Sequence, residues 1–168
     1  MNKIEWMEKY MLEAEQMIYN NQVDEGLRVL NNLLYDEPGY GNLHNQIGWA
    51  YLYYTGDLEK AELHLTMAVK FNPEFAPPYL HLGSLYNRMG RFATAIEWLQ
   101  KGLAKPSAGR LAFLQTMANA YEMSGDYRQA IKTYKQAATA SVVTHEVNML
   151  MEGVKRCRKK RLELFFSF

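Results

Sequence analysis

The side chains best suited to chemistry in this chain are His44, His64, His81, His145, Cys157 and the acid pairs Asp24–Glu25 and Asp36–Glu37. A catalytic or metal site needs several such groups at spacings that the chain can bring together. The histidines stand far apart in sequence without metal-ligand spacing, and no glycine-rich phosphate loop, GxSxG or HExxH motif occurs. His44 falls at a packing position and His64 on a second helix, so both are expected to pack or face solvent. The acid pairs flank expected helix ends, where a carboxylate meets the helix dipole or water. Cys157 lies among cations that would lower its pKa, but it has no base partner. As the lone cysteine it offers neither an intramolecular disulfide nor a CxxC pair. No enzyme activity, metal or cofactor is expected.

The elements that carry these residues are bounded by bulk properties. A chain of 168 residues suits one domain with a real core, and 48% apolar content is not a disordered composition. The net charge of +1 hides a gradient. Glu5, Glu8, Glu13, Glu15, Asp24, Glu25, Asp36 and Glu37 face only Lys3, Lys9 and Arg28 in residues 1–40. Six of the seven residues from Lys155 to Arg161 are basic. Such asymmetry points to an interaction surface or to head-to-tail contacts between molecules. The N-terminus, "MNKIEWMEKYM", has no apolar signal-peptide core, and no stretch approaches the roughly 18 apolar residues of a membrane span. The expected location is the cytoplasm.

Three stretches repeat in phase. Tyr51, Tyr86 and Tyr121 are spaced by 35 residues, each followed by a glycine (Gly56, Gly90, Gly125) and then an alanine (Ala61, Ala95, Ala130). Each stretch divides into two amphipathic helices at a turn rich in Gly or Asn. Met7, Tyr10, Met11, Ala14, Met17 and Ile18 form a helical stripe ahead of them, leading to the turn Asn20-Asn21. Small residues such as Gly48, Gly83 and Ala118 let paired helices approach, and large ones such as Leu65 and Leu99 fill the space between repeats. Pro38, Pro73 and Pro106 stop the second helices.

The pattern resembles the tetratricopeptide repeat family, W-x2-L-G-x2-Y…A-x3-F…P. The third repeat reads Tyr79-x2-Leu82-Gly83-x2-Tyr86, Gly90, Ala95-x3-Leu99, Pro106. The second reads His44-x2-Ile47-Gly48-x2-Tyr51, Ala61-x3-Leu65, Ala68, Pro73, with one extra residue before Gly56. The fourth has Leu114-x2-Met117-Ala118-x2-Tyr121, Gly125, Ala130-x3-Tyr134 and Ala137, with Val142 in place of the proline. A worn first repeat carries Tyr10, Ala14, Met17, Gly26-x3-Leu30 and Pro38, with Glu13 for the usual leucine and Leu33 for a small residue. The resemblance implies an all-α fold, a right-handed superhelix (α-solenoid) of antiparallel helix pairs. The expected organisation is a repeat domain over 1–142 (7–40, 41–75, 76–110 and 111–143), a C-terminal capping helix over 144–163 with a basic end, and an aromatic tail over 164–168.

The resemblance also implies a protein-protein interaction module, with a peptide or partner segment bound in a concave groove lined by the first helices. It would act as a scaffold, adaptor or assembly chaperone. Transferred position by position, the groove takes Asn42, Asn45, Gln46, Trp49 and Tyr53; His81, Ser84, Asn87 and Arg88; and Gln115, Thr116 and Asn119. Met11, Leu12, Glu15 and Tyr19 come from the first repeat, and Leu80 and Met123 complete the set. The face is rich in amides, which can both donate to and accept from a peptide backbone. Trp49 and Tyr53 are candidate anchors for an apolar side chain. The family's clamp for acidic heat-shock chaperone tails is not expected here. One register holds Met11, Glu15, Gln46, Pro77 and His81, the other Asn45, Trp49, His81, Ala112 and Thr116, and neither supplies the cations that pair a carboxylate.

The C-terminal stretch "VKRCRKKRLELFFSF" invites three readings. Val147, Leu150, Met151, Val154 and Cys157 form a stripe that can cap the last repeat. The basic patch of Lys155, Arg156, Arg158, Lys159, Lys160 and Arg161 then surrounds a helix that leaves the packed body. As an electrostatic tether it would hold an acidic partner, a membrane surface or nucleic acid, of which the last two are disfavoured. The aromatic tail needs cover, and a homodimer through it is the first expectation.

Overall fold

A computed structural model describes residues 3–166, with side chains through Leu164. Among these residues nine α-helices follow one another: α1 Lys3–Tyr19, α2 Val23–Asp36, α3 Gly41–Ala50, α4 Leu58–Phe71, α5 Pro77–Arg88, α6 Phe92–Leu103, α7 Arg110–Met123, α8 Tyr127–Ala140 and α9 Thr144–Phe166. The chain divides into two compact units, Met1–His81 and Leu82–Phe168, with the division inside α5. Of the expected aromatic tail, Leu164 is exposed; Ser167, Phe168 and the side chains of Phe165 and Phe166 lie outside the described residues, as does the homodimer contact expected through them.

Turn chemistry sets the helix pairs. Gly56, Gly90 and Gly125 adopt φ of 76°, 72° and 83°, and Asn21 takes the same left-handed conformation at 65°. Glycine enters that region without the Cβ clash that other residues suffer, and asparagine tolerates it best among the rest. Two following helices start on an aspartate cap: Asp57 accepts from the Lys60 N–H at 3.1 Å and Asp126 from the Gln129 N–H at 3.0 Å. Capping of this kind contributes about 1 kcal/mol.

The N-terminal unit packs Met7, Ala14, Ile18, Leu27, Leu30, Leu33, Leu43, Ile47 and Ala50 into one core. The worn first repeat therefore forms a packed pair, and its close approach comes from α2. A Cβ on Gly26 would stand 2.6 Å from Ile18 and 2.8 Å from the Ala14 carbonyl. In the next pair Gly48 meets Leu65 at 2.6 Å in the same sense. Polar ties hold the ends of α2 and α4 to the first helices that follow them. The His44 Nε2–H donates to the Pro38 carbonyl at 3.0 Å, and the Tyr79 hydroxyl donates to the Pro73 carbonyl at 2.9 Å. Both span six residues from corresponding repeat positions, so the aromatic residue that opens the second and third motifs also binds the closing turn before it.

His44 and His64, twenty residues apart in sequence, face each other with Nδ1 atoms 3.1 Å apart. Because the Pro38 carbonyl can only accept, His44 carries its proton on Nε2, and its Nδ1 accepts from the His64 Nδ1–H. His44 packs, as expected, and its partner in doing so is His64: paired helices bring their packing positions together whatever the sequence separation. Burial holds the His64 pKa down at about 4, and His44 adds to that effect.

The C-terminal unit packs Leu114, Ala118, Ala130, Tyr134 and Ala137 against Leu150, Val154 and Cys157 of α9. Gly153 lets α9 lie against the Tyr134 ring, where a Cβ would stand 3.0 Å away. Cys157 is fully buried, and burial, with Glu122 nearby, raises its thiol to about 11. Arg156 and Lys160 act in the expected lowering direction, but burial and Glu122 outweigh them. Among the described residues no helix is long and apolar enough to cross a membrane.

Gly83 has the tightest approach, since a Cβ added there would stand 2.4 Å from buried Leu99. Gly83→Val is expected to cost about 3 kcal/mol, the upper end for overpacking, read as a lowered urea midpoint. Gly109→Ala, with open space at the added carbon, is expected to stay within about 0.5 kcal/mol of the parent. A second expectation concerns pH. His64 binds a proton more weakly folded than unfolded, so its share of stability is complete above about 6.5 and is lost as pH falls toward about 4. His64→Gln is expected to flatten thermal stability across that window.

Candidate functional site

The N-terminal unit contains a concave pocket of about 450 Å³. One wall is a stripe along α1: Glu8, Met11, Leu12, Glu15 and Tyr19. These fall at i, i+3, i+4, i+7 and i+11, the spacing of one helix face. The facing wall comes from α3 with Asn42, Asn45, Gln46 and Trp49, and Tyr40, Phe75 and His81 complete the lining.

The extra residue of the second repeat shapes one end. Beyond Ala50 the helix continues as a π-helical segment, Tyr51–Thr55, closed by a hydrogen bond from the Gly56 N–H to the Tyr51 carbonyl at 2.9 Å. A π segment absorbs one inserted residue by widening a single turn. Tyr54 thereby meets Trp49 with ring centroids 4.9 Å apart, and Tyr19 closes the group at 5.5 Å from Trp49 and 6.2 Å from Tyr54. All three contacts are edge-on, the geometry that aromatic quadrupoles favour. Tyr53 lies beyond this cluster, about half exposed, with its hydroxyl 3.5 Å from His81 Nδ1.

The pocket's electrostatics are one-sided. Among the described residues Glu8 and Glu15 are its acids, and neither Lys nor Arg lines it. Burial drives the His81 pKa down to about 4, so that ring is neutral near pH 7. The phenols of Tyr40 and Tyr19 are pushed up, first by desolvation and then by the neighbouring Glu8 and Glu15. Lys3 and Lys9 of the same helix turn to Glu37 and Glu13.

The amide row does different work from that expected. Gln46 donates its Nε2–H to the Met11 carbonyl at 2.8 Å, and Asn87 donates its Nδ2–H to the Thr116 carbonyl at 3.2 Å. Asn42 accepts from the Asn72 side chain at 3.1 Å. One N–H of Gln46 and one of Asn87 are thus committed to tying one first helix to the next. Their oxygens, and that of Asn45, are buried without a hydrogen bond among the described residues.

Of the positions expected in a groove, Asn42, Asn45, Gln46, Trp49 and His81 meet in this pocket, together with Met11, Leu12, Glu15 and Tyr19. Ser84, Asn87, Arg88, Gln115, Thr116 and Asn119 belong to the C-terminal unit. There Gln115 and Asn119 are exposed, and the Thr116 hydroxyl donates to the Ala112 carbonyl at 2.9 Å. Glu8, Tyr40 and Phe75 were not expected in the site. The stripe spacing from Glu8 to Glu15 is the signal that finds the first; Tyr40 and Phe75 sit in connections and leave no periodic trace.

The basic patch is partly consumed. Arg156 holds Glu122 with two hydrogen bonds of 2.6 Å, from Nε and Nη2, and Lys160 adds a third at 2.8 Å. The Tyr134 hydroxyl donates to the same carboxylate at 2.9 Å. Glu122 is only 5% exposed, and these donors, led by Arg156, hold its pKa down at about 2. Lys155 pairs with Glu152 at 2.6 Å and Lys159 with Glu163 at 3.9 Å. Arg158 and Arg161 stay exposed without an ion pair among the described residues. The helix end expected to leave the body therefore remains attached as far as Lys160, because a buried carboxylate requires cationic partners.

Arg156→Met is expected to destabilise the chain by about 2 kcal/mol. That is less than the 3–5 kcal/mol for breaking a fully buried pair, since the Arg156 side chain is half exposed. Glu122 contributes stability above about 4.5 that is lost as pH falls toward about 2. Arg156→Met should shift that loss to higher pH, as followed by circular dichroism.

Residues 76–104 and 114–142 each match a tetratricopeptide repeat model. No curated protein matches the chain. Among solved structures, a thermophilic tetratricopeptide repeat protein from Thermus thermophilus superposes with a TM-score of 0.74 at 22% identity, covering 93% of this chain and 81% of that one. A putative kinesin light chain with nearly identical repeats from Podosopora anserina gives 0.79 at 16% identity over 97% and 90%. The MamA protein gives 0.68 at 20% identity over 94% and 90%. The fold is that of these proteins, an all-α solenoid of helix pairs.

Proposed function

For a chain that belongs to the tetratricopeptide repeat family, a scaffold for protein-protein interaction, we propose a non-catalytic role in which a partner segment is held by the first helices. The observation that carries this reading is the pocket of the N-terminal unit, a concave surface that combines exposed apolar, aromatic and polar side chains. Leu12 and Tyr19 are 56% and 62% exposed there, so apolar area is available for burial by a ligand. Burial of such area stabilises a complex at about 25 cal/mol per Å², and Trp49 is held by its aromatic neighbours in one orientation, which lowers the entropic cost of binding. A scaffold, adaptor or assembly chaperone is the role that such a surface serves. An electrostatic tether is less favoured, since Glu122 engages Arg156 and Lys160 and leaves the basic stretch fewer free cations.

A photocrosslinking amino acid placed at Leu12 is expected to trap partner proteins in cells. The same group at Tyr35, 90% exposed and away from the pocket, should not. Trp49→Ala should reduce the Leu12 adducts by about tenfold or more, the loss expected for an anchor worth about 2 kcal/mol. Equal adducts from both positions, or adducts indifferent to Trp49, would sink the pocket reading.

A further inference from the structure

We propose that the pocket of the N-terminal unit selects a basic partner segment, one that presents a Lys or Arg side chain beside an apolar residue. The inference rests on the peptide-pocket reading above and names the chemistry of its ligand.

Charge comes first. Glu8 and Glu15 line the pocket without a lysine or arginine among the described lining residues. They stand two turns apart on α1, about 10 Å along the axis, with Met11 and Leu12 between them. A ligand that matches this stripe carries apolar surface flanked by positive charge.

Hydrogen bonding agrees with the charge. The Glu8 and Glu15 carboxylates of the lining accept, and an ammonium or guanidinium brings donors only, three or five of them. The aromatic wall adds a further match. Trp49 and Tyr19 lie within one cluster, and a cation over such faces gains about 0.5–2 kcal/mol. An acidic face on a surface helix is often merely solvated. Here the carboxylates border a concavity with its own apolar floor and aromatic wall, which sets the stripe apart from a solvated face.

The test is selection of a random peptide display library on the full chain, repeated on Trp49→Phe and on the Glu8→Gln, Glu15→Gln double variant. Circular dichroism confirms that both variants fold. The expected result is a set of Trp49-dependent peptides enriched in Lys or Arg next to Leu, Ile or Phe. Their affinity should fall about tenfold in the double variant, as for loss of roughly 1.4 kcal/mol of charge-assisted binding, and should weaken with added salt. Trp49-dependent peptides that are acidic or uncharged, or basic ones that bind the double variant equally well, overturn this inference and leave the peptide pocket standing. Absence of any Trp49-dependent peptide overturns both.

Discussion

The space of one missing side chain governs the first three helix pairs. Leu65 occupies the place that a Cβ on Gly48 would need, and Leu99 does the same opposite Gly83. A close-packed interior resists even one added methylene, so these contacts fix how near the two helices of a pair lie. The first pair reaches the same result with the glycine moved to its second helix, where Gly26 rests on Ala14 and Ile18. Once that distance is set, one face of each first helix is committed to its partner and the opposite face is left to carry something else. The acid and aromatic stripe of α1 is such a remaining face.

Polar groups then add direction to what packing alone leaves loose. A backbone carbonyl near a helix end must find a donor, and residues at the motif's opening position supply one: His44 for Pro38 and Tyr79 for Pro73. In the fourth repeat Leu114 stands at that position and has no hydrogen to give. Gln46 and Asn87 act similarly between first helices. Gln46 thus serves both as framework and as lining, with one N–H committed to the Met11 carbonyl and its oxygen buried.

Most of the helix pairing was legible, because Tyr, Gly and Ala recur at nearly constant spacing and each has a local physical task. Trp49 and the amides of α3 were legible as lining for the same reason. The missed features are pairings between residues distant in sequence. Glu122 reads as an ordinary surface acid after Tyr121, and only the return of α9 across α7 and α8 buries it beside Arg156 and Lys160. His44 and His64 likewise show no spacing that predicts contact. Glu8 escaped because groove positions were counted from a leucine-glycine step that the first repeat lacks. Long-range electrostatics leaves no period in a sequence, whereas packing does.

The inserted residue of the second repeat has a consequence for how such a surface can change. It is taken up inside the helix as a widened turn, Tyr51–Thr55, while the turn that follows keeps its left-handed glycine and its aspartate cap. Removing one residue there would return the segment to the length of its counterparts without touching Gly48, Leu65 or the cap. It would, however, rotate Tyr53 and Tyr54 by about 100°, one residue's turn of an α-helix. The aromatic wall is therefore a variable separate from the fold: a single codon gained or lost can rewrite what the pocket presents while the scaffold stays the same.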